Sequence, residues 1–383
     1  MQVLFSFVGG TGHAQPMVPV AQALRAAGHS VSFTGEARYL TPLRALGFQT
    51  LVAEGSPEAK PFRRLPLVPP NQDEEDRVLR ELFATAIPRR RMPGYQRQYA
   101  ALRPDLVVRD EIDFAAAVLT EKLDIPHAVV LVLAAGSFLR PSVAAEPLNA
   151  LRAEHGLPPD DNLTTLARGQ VLSPFPPGFR DPRHPLPPAA YSFRAAYSGG
   201  HAAYDLPGWW PRLLGGTPVV HVTLGTVALE SGDLFERLLS GLAQLPVEVV
   251  AAVGRDFDPA ELGPQPAHVH VERWVPQALL LPHTDVVVSH GGSGTVTAAL
   301  AHGLPQIVAA MGADQLLNAA RIEALHLGLS LHVETATAVE VRDTTAAVLA
   351  DGQTRAAAQA LQREYAALPG LETIVALLEA LAG

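Results

Sequence analysis

The sequence predicts an α/β protein made of two doubly wound, Rossmann-like parallel-sheet domains that face each other across a cleft. The chain of 383 residues is too long for one ordinary core, and 48% of its residues are hydrophobic while 17% are charged. Short buried-type strands alternate with amphipathic helices in both halves, as in parallel sheets with right-handed crossovers. A segment rich in proline, glycine and aromatic residues, between residues 173 and 218, separates the two series.

In the first half, strand-like runs of Val, Leu and Phe alternate with helical spacings of apolar residues. A glycine turn at Gly9–Gly12 leads into the first helix, which Gly28 ends, and the next helix ends at Gly47. Between 53 and 104 the pattern loosens, because proline-rich and acidic segments interrupt a helix-like stretch. The strands are predicted at 3–8, around 31–33, at 106–108 and at 128–133.

Regular strand–helix units restart after the proline-rich segment, so the second domain is predicted to be built like the first. The chain ends in helices from about Thr337 onward. We therefore expect an N-terminal domain over 1–205 and a C-terminal domain over 206–383, joined by a linker at about 190–217. Whether the last helix packs back on the N-terminal domain is left open. The strands of the second domain are predicted at 219–224, 247–253, 269–272, 285–289, 305–309 and 329–333.

Composition excludes several functional classes. The net charge is -9 and the longest basic run is Arg89–Arg91, so no nucleic acid partner is expected. The chain contains no cysteine, which excludes disulfides, thiolate nucleophiles and cysteine-based zinc sites. No apolar stretch approaches the roughly 18 to 20 residues of a membrane span, and the chain enters a strand at once without a leader. The expectation is a cytoplasmic protein, either a monomer or a homodimer.

Two glycine-rich turns lie in the strand–turn–helix context where open α/β sheets bind ligands. Gly9–Gly12 opens like a dinucleotide fingerprint, but its third position is Gln15, so the turn is equally well explained by backbone geometry. His290 and Gly291–Thr295 follow a buried-type strand and precede a helix. Glycines allow close approach of a diphosphate, and the helix N-terminus stabilises its charge. Anion binding is therefore predicted at the second turn, with Ser293 or Thr295 as a candidate hydroxyl donor.

Six short segments share their order, spacing and residue types with one protein family. They are Gly12–Pro16, Leu224–Thr226, Arg273–Gln277, His290–Thr295, Gly303–Pro305 and Asp314–Ala319. In these segments the sequence resembles the family-1 nucleotide-sugar glycosyltransferases, and most closely the bacterial natural-product type that serves antibiotic biosynthesis. The resemblance implies the GT-B fold, with an acceptor-binding N-terminal domain and a donor-binding C-terminal domain. It also implies inverting transfer of a hexose or deoxyhexose to a hydroxyl of a small acceptor.

The resemblance assigns roles to the donor-binding residues. Trp274 would stack on the nucleotide base, the Val275 backbone would bind its edge, and Gln277 would lie near the ribose. His290 and the glycine turn would hold the diphosphate, while Asp314 would bind sugar hydroxyls together with its neighbour Gln315. Alternatively, Asp314 caps the helix that begins beside it. The full set is Gly12, Thr226, Trp274, Val275, Gln277, His290, Gly291, Gly292, Ser293, Gly294, Thr295, Asp314 and Gln315.

One position departs from the plant members of the family. They carry a glutamate that binds the ribose hydroxyls, and Ala298 stands at that position here. A carboxylate has less to bind if the sugar is deoxyribose. We therefore expect a deoxythymidine diphosphate (dTDP) sugar as donor in preference to a uridine diphosphate (UDP) sugar.

For catalysis, the resemblance identifies His13 as the general base and Asp110 as the acid that orients it. A histidine is suited to take a proton near neutral pH, and a paired carboxylate stabilises the imidazolium that forms. Glu111 and Asp113 flank Asp110 and are alternative partners of His13. The diphosphate leaving group would be stabilised without a metal, and no cofactor is expected besides the nucleotide-sugar co-substrate.

Other interpretations stay open from the sequence. An NAD-dependent oxidoreductase would use Gly9–Gly12, with Glu36 as the acid on the ribose. A nucleotide-sugar epimerase and a non-catalytic auxiliary protein with the same fold are further alternatives. His268 and His270 alternate on a strand, and solvent-facing histidines are favoured there over a metal pair. The acceptor is expected to be fairly apolar and to be bound by the irregular segments at 55–100 and 134–150.

Overall fold

A computed structural model describes residues 1–53, 67–195, 204–225, 233–255 and 257–383. Contacts divide the chain into two compact units. Unit 1 comprises Met1–Lys60, Gln72–Ala196 and Ala367–Gly383, and unit 2 comprises Pro61–Asn71 and Tyr197–Ala366. Each unit is built on one parallel sheet, so the predicted α/β class with two parallel-sheet domains is confirmed.

The sheet of unit 1 has seven strands in the order β3-β2-β1-β4-β5-β6-β7, and every strand pair is parallel. Strands β1, β4 and β5 were predicted because they are runs of buried apolar residues, and β2 was predicted because Val31 and Phe33 alternate with polar residues. Strands β3, β6 and β7 were not predicted, because they have at most four residues and two of them lie at the sheet edges. The strands are β1 Gln2–Ser6, β2 Ser30–Gly35, β3 Gln49–Val52, β4 Leu106–Asp110, β5 His127–Val130, β6 Gln170–Ser173 and β7 Tyr191–Ser192.

Helices connect these strands. The stretch in which the sequence pattern loosens contains an unbroken helical run from Gln72 to Leu102, with a π-helical segment, Leu79–Ala86, in its middle. Pro88 lies just inside the next helix, where its missing N–H costs little. The helices are α1 Thr11–Ala14, α2 Val18–Ala26, α3 Ala37–Ala45, α4 Gln72–Val78, α5 Ile87–Leu102, α6 Phe114–Leu123 and α7 Pro141–Glu154.

The sheet of unit 2 has six parallel strands in the order β10-β9-β8-β11-β12-β13. All six were predicted, with small shifts at the ends, because each is a short run of β-branched and aliphatic residues followed by a turn. The strands are β8 Val219–Thr223, β9 Glu248–Ala252, β10 Val269–Glu272, β11 Val286–Ser289, β12 Gln306–Val308 and β13 Gly328–Ser330.

In unit 2, the segments Arg273–Gln277 and His290–Thr295 directly follow the strands β10 and β11. Three residues, from His290 to Gly292, separate β11 from the helix that begins at Ser293. The helices are α8 Leu234–Leu242, α9 Gln277–Leu280, α10 Ser293–Ala301, α11 Gln315–Ala324, α12 Ala338–Ala350 and α13 Gly352–Ala366.

The last helix, α14 Leu371–Ala382, belongs to unit 1 and packs against α2. Its buried residues Ile374 and Leu378 join the core formed by β1, β2 and α2. His29 Nε2 lies 2.9 Å from Glu379 Oε1 at the edge of this contact. Within the proline-rich segment expected as a linker, β7 lies in unit 1 and a 3-10 helix, Trp210–Leu214, lies in unit 2.

Among the described residues, no single helix has both the length and the apolar character needed to cross a bilayer. The pair of successive helices α13 and α14 reaches the required length and composition only when the two are taken together.

Candidate functional site

The turn between β11 and α10 is shaped by glycine. Gly291 has φ of +83°, and a Cβ there would stand 2.6 Å from Val308 Cγ1, so no other residue fits without displacement. Its N–H donates to Ser289 Oγ at 3.1 Å. The amide of Gly291 is therefore used within the turn.

His290 is enclosed by two further glycines. A Cβ on Gly225 would stand 2.6 Å from the imidazole Cε1, and a Cβ on Gly292 would stand 2.4 Å from Nε2. Burial lowers the pKa of His290 to about 4, and the backbone of Thr223 opposes that shift. The imidazole is therefore neutral near pH 7 and can donate one hydrogen bond.

The N-terminus of α10 follows directly. Gly292 is the N-cap residue and provides no side-chain capping hydrogen bond to the first turn. The first amides of a helix lack intrahelical partners and carry a partial positive charge. A helix whose cap is a glycine can offer those amides to an anion instead of to its own side chain.

Asp314 and Gln315, the predicted sugar-binding pair, begin α11 and are buried. Asp314 makes no side-chain capping bond to α11. Its Oδ2 accepts instead from Ser293 Oγ at 2.5 Å and from Asn318 Nδ2 at 2.8 Å. Gln315 Oε1 accepts from the amides of Met311 and its neighbour Gly312 at 2.7 and 3.2 Å.

Asn318 is a site residue to which the sequence analysis gave no role of its own. Its Nδ2 donates to the carbonyl of Gly291 at 2.9 Å and to Asp314, so it bridges the glycine turn and the start of α11. The signal that could have found it is its spacing, because residues four apart on a helix share one face.

Trp274, the predicted base platform, is 40% exposed although it is a large aromatic side chain. The guanidinium of Arg255 lies over its ring, 4.5 Å from the centroid, and Tyr204 packs edge-on at 5.8 Å. Val275 is buried and Gln277 begins α9. Thr226, which was also predicted for the donor site, lies outside the described residues.

In unit 1, His13 and Asp110 lie together at the carboxyl ends of β1 and β4. His13 Nδ1 is 3.3 Å from Asp110 Oδ2. The Asp110 carboxylate is fully buried and accepts from the amides of Val8 and Ile112, both at 2.7 Å. Gly9 has φ of +92°, and a Cβ added to it would stand 3.1 Å from Cδ2 of the His13 imidazole. Gly12 has open space beside it and lies in α1.

The two alternative acids are engaged elsewhere. Asp113 accepts from Tyr95 at 2.8 Å and from Ser6, and it also caps α6. Glu111 accepts from the amide of Leu133 at 2.9 Å. Burial raises the pKa of Glu111 to about 8; the charge of Asp110 adds to the shift and nearby cations oppose it. Asp110 is thus the acid that the structure places against His13.

Glu36, the acid that a nicotinamide cofactor would need on its ribose, is buried and already paired. Its Oε1 lies 3.3 Å from Arg91 and its Oε2 lies 3.2 Å from Arg38. Arg91 is itself buried and donates to the carbonyl of Phe7 at 2.7 Å. These contacts give Glu36 a structural role under the β1–α1 turn, which weakens the oxidoreductase interpretation.

The expectation of solvent-facing histidines on β10 is wrong for His270. This side chain is buried, with Nε2 2.8 Å from Glu248 Oε2, and its ring stacks on Trp209 with centroids 4.6 Å apart. β10 is an edge strand, but the segment at Trp209 and Trp210 packs on it. The alternation of residues along β10 could not reveal this contact, because the segment is distant in sequence. Across the part of the chain that the structure describes, no group of three or more His, Asp or Glu could hold a metal ion.

Comparisons with known proteins agree with this geometry. Residues 236–381 match the family described as erythromycin biosynthesis protein CIII-like, C-terminal domain. The L-demethylnoviosyl transferase of Streptomyces niveus is 31% identical, over 96% of this chain and 95% of its own. The structure of the glycosyltransferase SnogD from Streptomyces nogalater is similar with a TM-score of 0.79 at 28% identity, and the match covers 100% of both chains.

A further solved structure, the spinosyn rhamnosyltransferase SpnG complexed with thymidine diphosphate, has a TM-score of 0.81 at 25% identity. The match covers 99% of this chain and 100% of that chain. A relative that is 31% identical over nearly the full length of both chains establishes the relationship. The chain belongs to the family-1 glycosyltransferases of the GT-B fold that serve bacterial natural-product biosynthesis.

Proposed function

We propose that this glycosyltransferase transfers a hexose or deoxyhexose from a dTDP-sugar to a hydroxyl of a small, fairly apolar acceptor, with inversion at the anomeric carbon. The observation that carries the proposal is the convergence, within unit 2, of three neighbouring features. They are His290 on its glycine turn, the glycine-capped N-terminus of α10 and the buried pair that begins α11. Together they supply donors for a diphosphate and acceptors for sugar hydroxyls.

Two observations favour thymidine over uridine. Ala298 is buried on α10 where plant members carry the ribose-binding glutamate, so no carboxylate is available there for a 2′-hydroxyl. The similar rhamnosyltransferase was solved with thymidine diphosphate. Trp274, exposed and flanked by Arg255, would provide the face on which the base stacks.

The acid–base step follows from the orientation of His13. Its Nδ1 faces Asp110, so Nε2 is the nitrogen that would take the proton from the acceptor hydroxyl. The acceptor oxygen then bonds to the anomeric carbon as the bond from that carbon to the diphosphate oxygen breaks. Asp110, fixed by two backbone amides, stabilises the imidazolium. The N-terminus of α10 and His290 stabilise the leaving diphosphate, with neither a metal nor another cofactor.

The test is calorimetric titration of the full chain with dTDP, UDP and NADH, repeated with His290→Ala. We expect dTDP to bind most tightly and the variant to bind it at least tenfold more weakly. Binding of NADH without either diphosphate would refute the proposal. Incubation with a dTDP-sugar and a panel of hydroxylated aromatic and macrocyclic acceptors, in the presence of EDTA, tests transfer. The anomeric configuration of the product, read by NMR, tests inversion.

A further inference from the structure

The buried side chain of Asn318 joins the two halves of the donor site. It lies on α11 and has no exposed surface. Its Nδ2 donates to the Gly291 carbonyl at 2.9 Å and to Asp314 Oδ2 at 2.8 Å, with Ser293 Oγ at 3.2 Å beside them. Because the carbonyl and the carboxylate are both acceptors, only the amide nitrogen, which has two protons, satisfies them together.

The hydroxyl of Ser293 completes the same cluster. It donates to Asp314 Oδ2 at 2.5 Å, so the serine at the start of α10 holds the carboxylate at the start of α11. A hydroxyl has one proton, and a proton given to Asp314 is not available to a phosphate oxygen. Ser293 therefore orients Asp314, whereas the sequence predicts that a hydroxyl of this turn binds the diphosphate.

From this geometry we infer that Asn318 is a positioning residue that fixes Asp314 relative to the glycine turn and so determines recognition of the donor sugar. The inference rests on the proposed function, because it requires a diphosphate at the turn and a sugar beside Asp314. The two donors to one oxygen fix the direction of the Asp314 carboxylate. Hydroxyl groups of the donor sugar that match that direction are bound, and epimers that do not match are bound less well.

The contacts define which part of the donor should respond to a change at Asn318. The diphosphate would contact His290 and the first turn of α10. Asn318 touches this region through the Gly291 carbonyl and through the Ser293 hydroxyl, which itself donates to Asp314. The sugar would contact Asp314, whose side chain Asn318 holds directly. Loss of the amide should therefore weaken binding of a nucleotide sugar more than binding of the bare nucleoside diphosphate. A merely structural role would weaken both to the same extent.

The informative substitution is Asn318→Asp, which keeps the shape but replaces the donor with an acceptor that faces two other acceptors. Ser293→Ala is the matched variant, because it removes the other donor to Asp314 and leaves the bond from Asn318 to Gly291 intact. The probes are dTDP and dTDP-glucose, titrated calorimetrically into the wild type and both variants at pH 7.5. Circular dichroism and thermal unfolding report whether each variant is folded.

We expect Asn318→Asp to weaken dTDP-glucose at least tenfold and dTDP by less than threefold, and Ser293→Ala to follow the same pattern more weakly. The inference would be overturned if both variants lost affinity equally for dTDP and dTDP-glucose, or if neither affinity changed. A wild type that binds the two probes with equal affinity would overturn it as well. If Asn318→Asp does not fold, the ratio in Ser293→Ala decides by the same criterion. A wild type that binds neither dTDP nor UDP would instead refute the proposed function.

Discussion

A methyl group added at Gly292 should displace the imidazole of His290 while residue 290 itself remains histidine. The built Cβ stands 2.4 Å from Nε2, 3.1 Å from Cε1 and 3.3 Å from Cδ2. Carbon and nitrogen atoms that are not bonded rest at about 3.5 Å, so Gly292→Ala must displace the imidazole by about 1 Å. Gly292 has φ of −64° and ψ of 142°, which alanine adopts without strain. The whole cost therefore arises from the contact with His290.

The displacement has a calculable effect on donor binding. A hydrogen bond to a charged group contributes about 1.5–3 kcal/mol, and a shift of about 1 Å removes most of that. Gly292→Ala is therefore expected to weaken dTDP binding by about 10- to 100-fold. Overpacking should also lower the free energy of unfolding by about 1–3 kcal/mol. Calorimetry and urea unfolding measure the two effects.

The control is the same substitution in a His290→Ala background. With the imidazole gone, Gly292→Ala should change dTDP affinity by less than twofold, so the two single effects should not add. Gly225→Ala provides a contrast, because φ of +63° there costs alanine about 1–2 kcal/mol whatever the neighbour is. If Gly292→Ala weakens dTDP equally with and without His290, the new methyl group blocks the diphosphate directly and the reasoning is refuted.

Three further predictions concern unit 1. His13→Ala should lower kcat by about 10²- to 10⁴-fold and leave the dissociation constant of dTDP within twofold, as measured by product formation and calorimetry; a large change in dTDP binding would contradict its assignment as the base. Glu111 keeps its proton up to about pH 8 in the folded chain and loses it near 4.5 when unfolded, so the free energy of unfolding falls as pH rises across that window. Glu111→Gln should flatten the fall in Tm between about pH 5 and 8, and an unchanged slope would show that another group titrates. Glu36→Ala leaves buried Arg91 without its carboxylate and should cost about 3–5 kcal/mol in urea unfolding, whereas a neutral effect would return Glu36 to the list of ligand-binding candidates.

The central strands of both sheets could be predicted from sequence because their signal is local. Each is a run of residues whose two faces are both buried, as at Val3–Phe5. β3 and β7 escaped prediction because an edge strand is defined by pairing with a distant partner. The two residues of β7 pair with Leu172 and Ser173 on β6, which no pattern within the strand encodes.

The same distinction separates what could be predicted in the site from what could not. His290 and Asp314 were selected as candidate site residues because they lie in short segments whose order along the chain resembles that of the family. The direction of the Asp314 side chain was not predictable. An aspartate at this position could equally cap α11 or accept a hydrogen bond from Ser293, and the structure shows the second. His270 was misplaced for a related reason, because Trp209 covers it from a remote part of the chain.

The glycines beside the two histidines have a structural cause that was not predicted from the sequence. From the sequence, glycine in such turns is expected either because a phosphate must approach the backbone closely or because the turn is tight. In the structure, Gly9 makes room for His13, and Gly225 and Gly292 make room for His290. In both units, therefore, glycines leave room for an imidazole just beyond the carboxyl end of an interior strand. One imidazole lies beside a carboxylate that can stabilise its protonated form, while the other lies in a niche that keeps it neutral. The proposed function thus uses one local pattern twice, with the imidazole as a base in unit 1 and as a hydrogen-bond donor in unit 2, and the difference is set by what faces each ring.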